Sequence, residues 1–150
     1  MLESLWILRH LPRGSRIVDV GSGGGLPIIP CLIAREDLTA TLIESSQRKS
    51  VFLREALRLA GASERSQLIV ARFEQTLAPP TDFVTCRALD RFPQMLPKLI
   101  DWAPAESTLL FFTGANLKIQ LETSLPSARA DLIPGSERRF LIVALSPRPN

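Results

Sequence analysis

A run of four glycines within five residues, directly after a short apolar segment, constrains the fold of this chain most strongly. Residues 16–20 (RIVDV) have the composition of a buried strand, and residues 21–25 (GSGGG) follow them. Glycine adopts positive φ readily and lets a ligand approach the backbone closely. The sequence predicts a helix after the turn, over 27–35. In open parallel sheets, ligands bind outside the carboxyl ends of the strands, near the point where the strand order reverses. This segment therefore predicts an α/β fold with a ligand site at the turn.

Strand and helix patterns alternate along the rest of the chain. Strands are predicted at 38–43, 67–71, 82–86 and 108–113, and helices at 2–11, 46–60 and 92–102. Ser45 or Ser46 is suited to cap the helix at 46–60, and Gly61 to end it. A final pair of strands is predicted at 129–133 and 139–145. This order predicts a doubly wound, mainly parallel sheet that ends in an antiparallel hairpin and is flanked by helices.

Length and composition indicate one ordinary globular domain over residues 1–150. The chain is 45% hydrophobic and 22% charged, and about 150 residues suffice to bury a sizeable core. No apolar run reaches the ~18 residues that span a bilayer, and the opening residues do not have the pattern of a secretory signal. Cys31 and Cys86 lie far apart and lack the spacing of a zinc site or a disulfide framework. We therefore expect a cytoplasmic protein without metal or membrane, and a monomer.

The net charge is +3 and the isoelectric point about 9.4, with 15 arginines against 3 lysines. Basic surfaces bind nucleic acids because they release counterions from phosphates. A guanidinium, unlike an ammonium, also stacks on bases and grips phosphate with two hydrogen bonds. A nucleic-acid partner is thus compatible with the composition, although many unrelated enzymes share this charge balance.

The spacing of the glycines indicates which ligand the turn binds. A dinucleotide fingerprint GxGxxG begun at Gly21 would need a third glycine at Leu26, and one begun at Gly23 would need it at Ile28. Neither register fits, which disfavours a nicotinamide-dependent oxidoreductase.

The pattern is instead an acid followed by alternate glycines, namely Asp19, Gly21, Gly23 and Gly25. It is similar to the pattern of methyltransferases that use S-adenosylmethionine. On this interpretation the turn leaves room for the methionine moiety, and Asp19 orders the turn or interacts with the ammonium through water.

Four further candidates follow the second, third and fourth predicted strands. Glu44 is placed to accept hydrogen bonds from both ribose hydroxyls, or is a surface glutamate that opens a helix. An adenine ring would lie against Phe73 and close to Glu74, unless these are merely a buried aromatic and a solvent-facing acid. Arg87 would hold the cofactor carboxylate or an incoming phosphate, or is a surface arginine.

Two other residues with reactive side chains are interpreted as structural. Cys86 lacks the preceding proline of cysteine-dependent pyrimidine methyltransferases and is taken as a small core residue. His10, the only histidine, is assigned to packing or to the surface.

Together these segments resemble the RsmG (GidB) family, which methylates 16S ribosomal RNA. The resemblance covers nearly the whole chain and is carried by residues 2–5 (LESL), 19–30 (DVGSGGGLPIIP), Glu44 with 48–49 and 51–53, 72–74 (RFE), 87–88 (RA) and Gly114.

The resemblance implies a Rossmann-like class I methyltransferase fold, S-adenosylmethionine as cofactor and N7 of a guanine in 16S ribosomal RNA as acceptor. The implied cofactor contacts are Gly21, Leu26, Glu44, Phe73, Glu74 and Arg87. Of these, Arg87 is expected nearest the reaction and is the candidate catalytic residue. Because N7 already presents a lone pair, alignment and electrostatics suffice and no general base is needed.

Three departures from the family pattern bear on activity. Thr113 stands where the family has a lysine, Ile28 stands where it has a glycine, and most of its N-terminal helical region is expected to be missing. Two alternatives therefore stay open: a cofactor-binding module without catalytic activity, and a methyltransferase for a small molecule or a protein.

Overall fold

A computed structural model describes residues 2–87 and 92–147, which contain seven strands and five α-helices. The strands are β1 (Arg16–Val20), β2 (Thr39–Glu44), β3 (Ser66–Val70), β4 (Phe83–Arg87), β5 (Thr108–Gly114), β6 (Arg129–Leu132) and β7 (Arg139–Leu145). The helices are α1 (Leu2–Leu5), α2 (Ile28–Ala34), α3 (Gln47–Leu59), α4 (Phe92–Trp102) and α5 (Ala115–Ser124). Short 3-10 helices cover Trp6–His10, Ser63–Arg65 and Phe73–Gln75.

All seven strands form one sheet in the order β3-β2-β1-β4-β5-β7-β6. Strands β1 to β5 are parallel, whereas β7 is antiparallel to both β5 and β6. The predicted mainly parallel sheet with a terminal antiparallel hairpin is thus confirmed. The chain runs outwards from β1 to β3 and then returns to β4 beside β1, so the strand order reverses between β1 and β4. A crevice at their carboxyl ends is where such sheets bind ligands.

Helices cover both faces of the sheet because its central strands are apolar on both sides. Successive residues of β1 point to opposite faces. Ile17 belongs to a core formed with α2 and α3, which includes Leu53. Val18 belongs to a second core formed with α4 and α5, which includes Leu99. Full burial of one such leucine contributes about 1.5–3 kcal/mol.

Helix α3 begins and ends at residues suited to those positions. Of the two candidate caps, Ser46 is the one used, and its hydroxyl accepts a hydrogen bond from the backbone N–H of Lys49 at 3.2 Å. The helix is followed by Gly61 with φ +69°, and the N–H of Ala62 donates to the carbonyl of Leu57 at 2.9 Å. These caps fix the start of α3 directly after the carboxyl end of β2.

Two helical segments differ from the sequence predictions. The predicted helix at 2–11 is α-helical only over Leu2–Leu5 and continues as a 3-10 helix to His10. Helix α5 was not predicted at all. In the sequence, Leu117, Ile119 and Leu121 occupy alternate positions, which is the spacing of a strand. In the structure the segment is a helix that buries Leu117 and Leu121, whereas Ile119 is 66% exposed.

Candidate functional site

The glycine turn connects β1 to α2 at the reversal of strand order. Gly21, Gly23 and Gly25 all have positive φ, which glycine alone adopts without strain. At Gly25 space is also restricted, because a Cβ there would lie 2.6 Å from Cδ1 of Ile29. The N–H of Gly21 donates to the carbonyl of Ile43 at 2.8 Å, so the turn is anchored to β2. The three predicted glycines therefore shape one turn at the mouth of the crevice.

Glu44, the last residue of β2, bonds to both sides of the site. Its Oε1 accepts from the backbone N–H of Gly23 and its Oε2 from that of Ser46, each at 2.8 Å. The residue is only 6% exposed, and no side-chain cation pairs with it among the residues of the described chain. Each carboxylate oxygen keeps a further lone pair, so Glu44 is able to accept hydrogen bonds from a ligand. Its assignment to a ribose stays a prediction.

Asp19 lies beneath the turn and is 1% exposed. Its Oδ1 accepts a hydrogen bond from the hydroxyl of Thr85 at 2.6 Å, and its carbonyl accepts one from the hydroxyl of Ser22 at 3.2 Å. Burial raises the pKa of the Asp19 carboxyl to about 7, although the hydrogen bond from Thr85 opposes this shift. Asp19 thus supports the turn from below.

A cavity of about 370 Å³ opens beside the turn and holds three of the predicted contacts, Gly21, Phe73 and Glu74. It is also lined by residues that the sequence analysis did not single out: Val20, Ile43, Ser45, Ala71, Arg72, Gln94, Met95 and Lys98. The last three come from α4, where Gln94 and Met95 precede Lys98 by four and three residues and so lie next to it on the helix surface. This spacing is visible in the sequence, but it does not indicate that the helix packs beside the glycine turn.

Phe73 is mainly a core residue. Its side chain is 3% exposed, and its ring packs edge-to-face on Trp102 with 5.5 Å between centroids. The indole N–H of Trp102 donates to the carbonyl of Thr76 at 2.8 Å, which fixes the indole. Phe73 therefore offers the cavity little surface. Its contact with adenine stays a prediction, and Glu74 beside it is exposed.

The remaining predicted contacts, Leu26 and Arg87, meet at a second, smaller cavity of about 30 Å³. Glu3, Ser4, Pro27 and Phe112 complete its lining. Glu3 is held by Arg139 at 2.7 Å, so α1 is tied to β7. The two cavities flank the glycine turn, and Arg87 faces the one that α1 covers. The role of Arg87 in catalysis stays a prediction, and Ala88 of the same motif lies outside the described residues.

Three residues of the sequence analysis have no access to the crevice. Thr113, which stands in place of the family's lysine, is 2% exposed. Cys86 is buried, and burial holds the pKa of its thiol well above the usual range, as suits a core residue. His10 packs 3.7 Å from Asp131, and burial lowers its pKa.

Residues 2–87 and 92–147 contain neither a candidate metal site nor a membrane-spanning helix. No group of three or more histidine, cysteine, aspartate or glutamate side chains is placed to hold a metal ion there. Over the same residues, the helices are all too short or too polar to span a bilayer.

Comparison with known sequences shows the family of this chain. The family model described as rRNA small subunit methyltransferase G (GidB) matches residues 1–132. Relatives with that name include one from Gluconobacter oxydans, 40% identical over 79% of this chain and 60% of its own length. Another, from Sorangium cellulosum, is 33% identical over 94% of this chain and 58% of its own length. The chain thus spans about three-fifths of the length of these relatives.

Comparison with solved structures gives one fold. A predicted O-methyltransferase from Agrobacterium tumefaciens aligns with a TM-score of 0.77 and 20% identity, over 98% of this chain and 79% of its own. An RNA methyltransferase from Salinibacter ruber, solved with S-adenosyl-L-homocysteine, aligns with a TM-score of 0.71 and 14% identity, over 98% and 90%. At these identities the likeness concerns the fold alone, and it confirms the expected Rossmann-like class I methyltransferase architecture.

Proposed function

Because the chain belongs to the rRNA small subunit methyltransferase G (GidB) family, we propose that it transfers the methyl group of S-adenosylmethionine to N7 of a guanine in 16S ribosomal RNA. The observation that carries this proposal is the bond between Glu44 and Gly23, which joins the carboxyl end of β2 to the glycine turn. A carboxylate and an anchored glycine turn at the reversal of strand order form a nucleoside site.

The shape and chemistry of the crevice fit this cofactor. The larger cavity, at about 370 Å³, falls within the ~300–1,000 Å³ typical of small-molecule sites. Glu44 has free lone pairs for the ribose hydroxyls, and Glu74 lies where the adenine would sit. The turn of Gly21, Gly23 and Gly25 leaves the backbone open to the methionine moiety. Bound there, S-adenosylmethionine would supply a methyl group on an electrophilic sulfonium.

The residues of this chain then need only to bind and orient the acceptor. Guanine N7 already presents a lone pair, so no residue has to remove a proton before transfer. Arg87, at the carboxyl end of β4, would hold a phosphate of the RNA or the cofactor carboxylate. Its guanidinium is suited to this because it donates two hydrogen bonds in a fixed plane.

The distribution of charge favours RNA over a small molecule as acceptor. Four exposed cations, Arg48, Lys49, Arg72 and Lys98, lie at the carboxyl edge of the sheet and form no ion pair within the described residues. We call them the basic edge.

At the opposite edge, where β1, β2 and β4 begin, two arginines are paired instead. Arg16 bonds to Asp82 and Arg35 to Asp37. Unpaired cations around the crevice attract a polyanion, because each phosphate contact releases counterions.

We further propose that residues 1–150 form a single domain, and that the protein is a cytoplasmic monomer that needs no metal. Two observations support a cytoplasmic location: the proposed acceptor is part of the ribosome, and Cys31 and Cys86 are free thiols. Light scattering after size exclusion tests the monomer, and limited proteolysis tests the single domain.

The deciding experiment has two steps. Calorimetric titration with S-adenosylmethionine, and with NAD as the matched control, tests the cofactor. The protein is then given a radiolabelled methyl donor and 30S subunits from cells that lack this modification, and the labelled nucleoside is identified by nuclease digestion and mass spectrometry. The proposal expects binding of S-adenosylmethionine but not NAD, and 7-methylguanosine in the 16S RNA.

Other results would contradict the proposal in distinct ways. Cofactor binding without any transfer would indicate a binding module. Label in protein or metabolite fractions, and not in RNA, would indicate a different acceptor. No cofactor binding would remove the enzyme assignment.

A further inference from the structure

The side chains of Asp19 and Thr85 form a buried pair across β1 and β4. The two residues are aligned in the parallel ladder, although they are 66 positions apart in the chain. The Thr85 hydroxyl donates to Oδ1 of Asp19 at 2.6 Å, and the two residues are 0% and 1% exposed. Oδ2 is also buried and has no hydrogen-bond partner among the described residues.

The surroundings of this carboxyl disfavour its charged form. Three titratable groups interact electrostatically with it: Glu44 from β2, Cys31 from α2 and Cys86, whose side chain lies on the other face of β4. None of them is a cation, and no lysine or arginine of the described chain forms an ion pair with Asp19. A buried carboxylate without a cation is costly, and such a group takes up a proton instead. In accordance with this, burial raises the pKa of Asp19 to about 7.

The pair lies next to the glycine turn, to which the proposed cofactor would bring a positive charge. Alternate residues of a strand share a face, so Thr85 and Arg87 lie on the same face of β4. Arg87 lines the small cavity next to the glycine turn, together with Leu26. Asp19 is two residues before Gly21, the first glycine of that turn. A ligand with a positive charge in the turn would therefore be the missing partner of Asp19.

We propose that Thr85 is a positioning residue for the cofactor site: its hydroxyl stabilises the charged form of Asp19, so that binding of a cationic nucleoside releases the proton that Asp19 carries in the free protein. This inference rests on the proposed function. The balance is simple, because the neutral carboxyl loses one proton to solvent and the resulting carboxylate remains beside the ligand cation. The affinity for the cofactor then increases with pH.

Wild-type protein provides the first test. Titration calorimetry with S-adenosylmethionine at pH 6, in two buffers of different ionisation enthalpy, counts the protons released. We expect close to one, and an affinity that rises up to about tenfold per pH unit below pH 7, the slope that linkage gives for one proton. The neutral ligand 5′-methylthioadenosine, which lacks both the sulfonium and the amino acid, is expected to release none.

Variants identify the residue that releases the proton when the cofactor binds. Asp19→Asn should abolish the release, and it also corrects for the ligand's own α-amino group, which titrates at about 7.7–8.0. Thr85→Val keeps the shape of the side chain but removes the donor, so the midpoint of the pH profile should move to higher pH. Thr85→Ser keeps the donor and should restore the wild-type midpoint. A purely structural role of Thr85 would weaken binding equally at every pH.

A spectroscopic measurement does not depend on the ligand. The carboxyl carbon of Asp19, labelled with ¹³C, should titrate near pH 7 in the free protein and show the ionised shift at pH 6 once S-adenosylmethionine is bound.

The inference is overturned if S-adenosylmethionine binds without proton release, or if Asp19→Asn releases as many protons as the wild type; the proposed function then stands. If S-adenosylmethionine does not bind at all, both are overturned. Should Thr85→Val not fold, the wild-type count and the Asp19→Asn comparison still decide the matter.

Discussion

The carboxylate of Glu44 accepts a hydrogen bond from the backbone N–H of Gly23 at 2.8 Å, so the end of β2 holds the turn that follows β1. Its other oxygen accepts from Ser46, the cap of α3. One side chain thus fixes the glycine turn and the start of a helix, and it is also the proposed acceptor of hydrogen bonds from the ribose. A change at Glu44 should therefore affect both stability and cofactor binding.

Glu44→Gln would turn an amide nitrogen towards one of the two backbone N–H donors, so one hydrogen bond would be lost. We expect this change to destabilise the protein by about 1–3 kcal/mol and to weaken S-adenosylmethionine binding by roughly tenfold or more. Calorimetry and urea unfolding measure these effects. Glu74→Gln, at an exposed position that lines the larger cavity, should leave stability unchanged. Equal stability of Glu44→Gln and wild type would contradict the anchoring role.

Gly25→Ala is expected to destabilise the protein by about 1–3 kcal/mol, because the residue has φ +87° and the added methyl would lie 2.6 Å from Cδ1 of Ile29. The matched control is Gly24→Ala, where φ is not positive and no atom lies within 4 Å of the new Cβ. The midpoint of urea unfolding should therefore be lower for Gly25→Ala than for Gly24→Ala. Similar midpoints would mean that the turn is shaped differently.

Asp19 should make the free protein less stable as pH rises. Its pKa is raised from 3.8 to about 7 on folding, so between about pH 4 and pH 7 the folded state binds a proton that the unfolded state has lost. Stability from this group is therefore full below pH 4, falls up to about pH 7 and is constant above it. The difference in unfolding free energy between wild type and Asp19→Asn, measured by urea from pH 4 to pH 8, should show this fall. A flat difference would mean that Asp19 is charged throughout.

Arg87→Ala is expected to lower the single-turnover rate of methyl transfer to 30S subunits by roughly a hundredfold, the usual effect of removing one oriented donor. Its thermal midpoint should match that of the wild type, since Arg87 lies at the end of a strand and is not fully buried. Arg54→Ala, an exposed arginine in the middle of α3, serves as the control and should not change the rate. An unchanged rate for Arg87→Ala would contradict a role of Arg87 in methyl transfer.

Lys49→Ala, in the basic edge, is expected to weaken binding of 16S RNA and to reduce the slope of log affinity against log salt by about one, as for the loss of one phosphate contact. Arg13→Ala removes an exposed cation just before β1, at the opposite edge, and should not alter the slope. Filter binding at several salt concentrations measures both. An equal reduction in the two variants would show that the charge effect is not local.

Much of the site was predictable because its signals are local in the sequence. The glycine turn, Asp19 and Glu44 each follow or end an apolar strand, and the structure brings all of them to the carboxyl edge of the sheet. Where the pattern was ambiguous the prediction failed. Helix α5 was missed because Leu117, Ile119 and Leu121 alternate like a strand, and only packing on the sheet determines which of them is buried.

The sequence by itself determined which segments are strands, which turn is the candidate ligand site and which family the chain resembles. Tertiary structure alone decided that Thr85 lies against Asp19, that α4 supplies Gln94 and Lys98 to the larger cavity, and that Phe73 packs on Trp102. The reason is physical. Propensity and periodicity act between residues close in the chain, whereas these contacts arise only when the chain returns from β3 to place β4 beside β1.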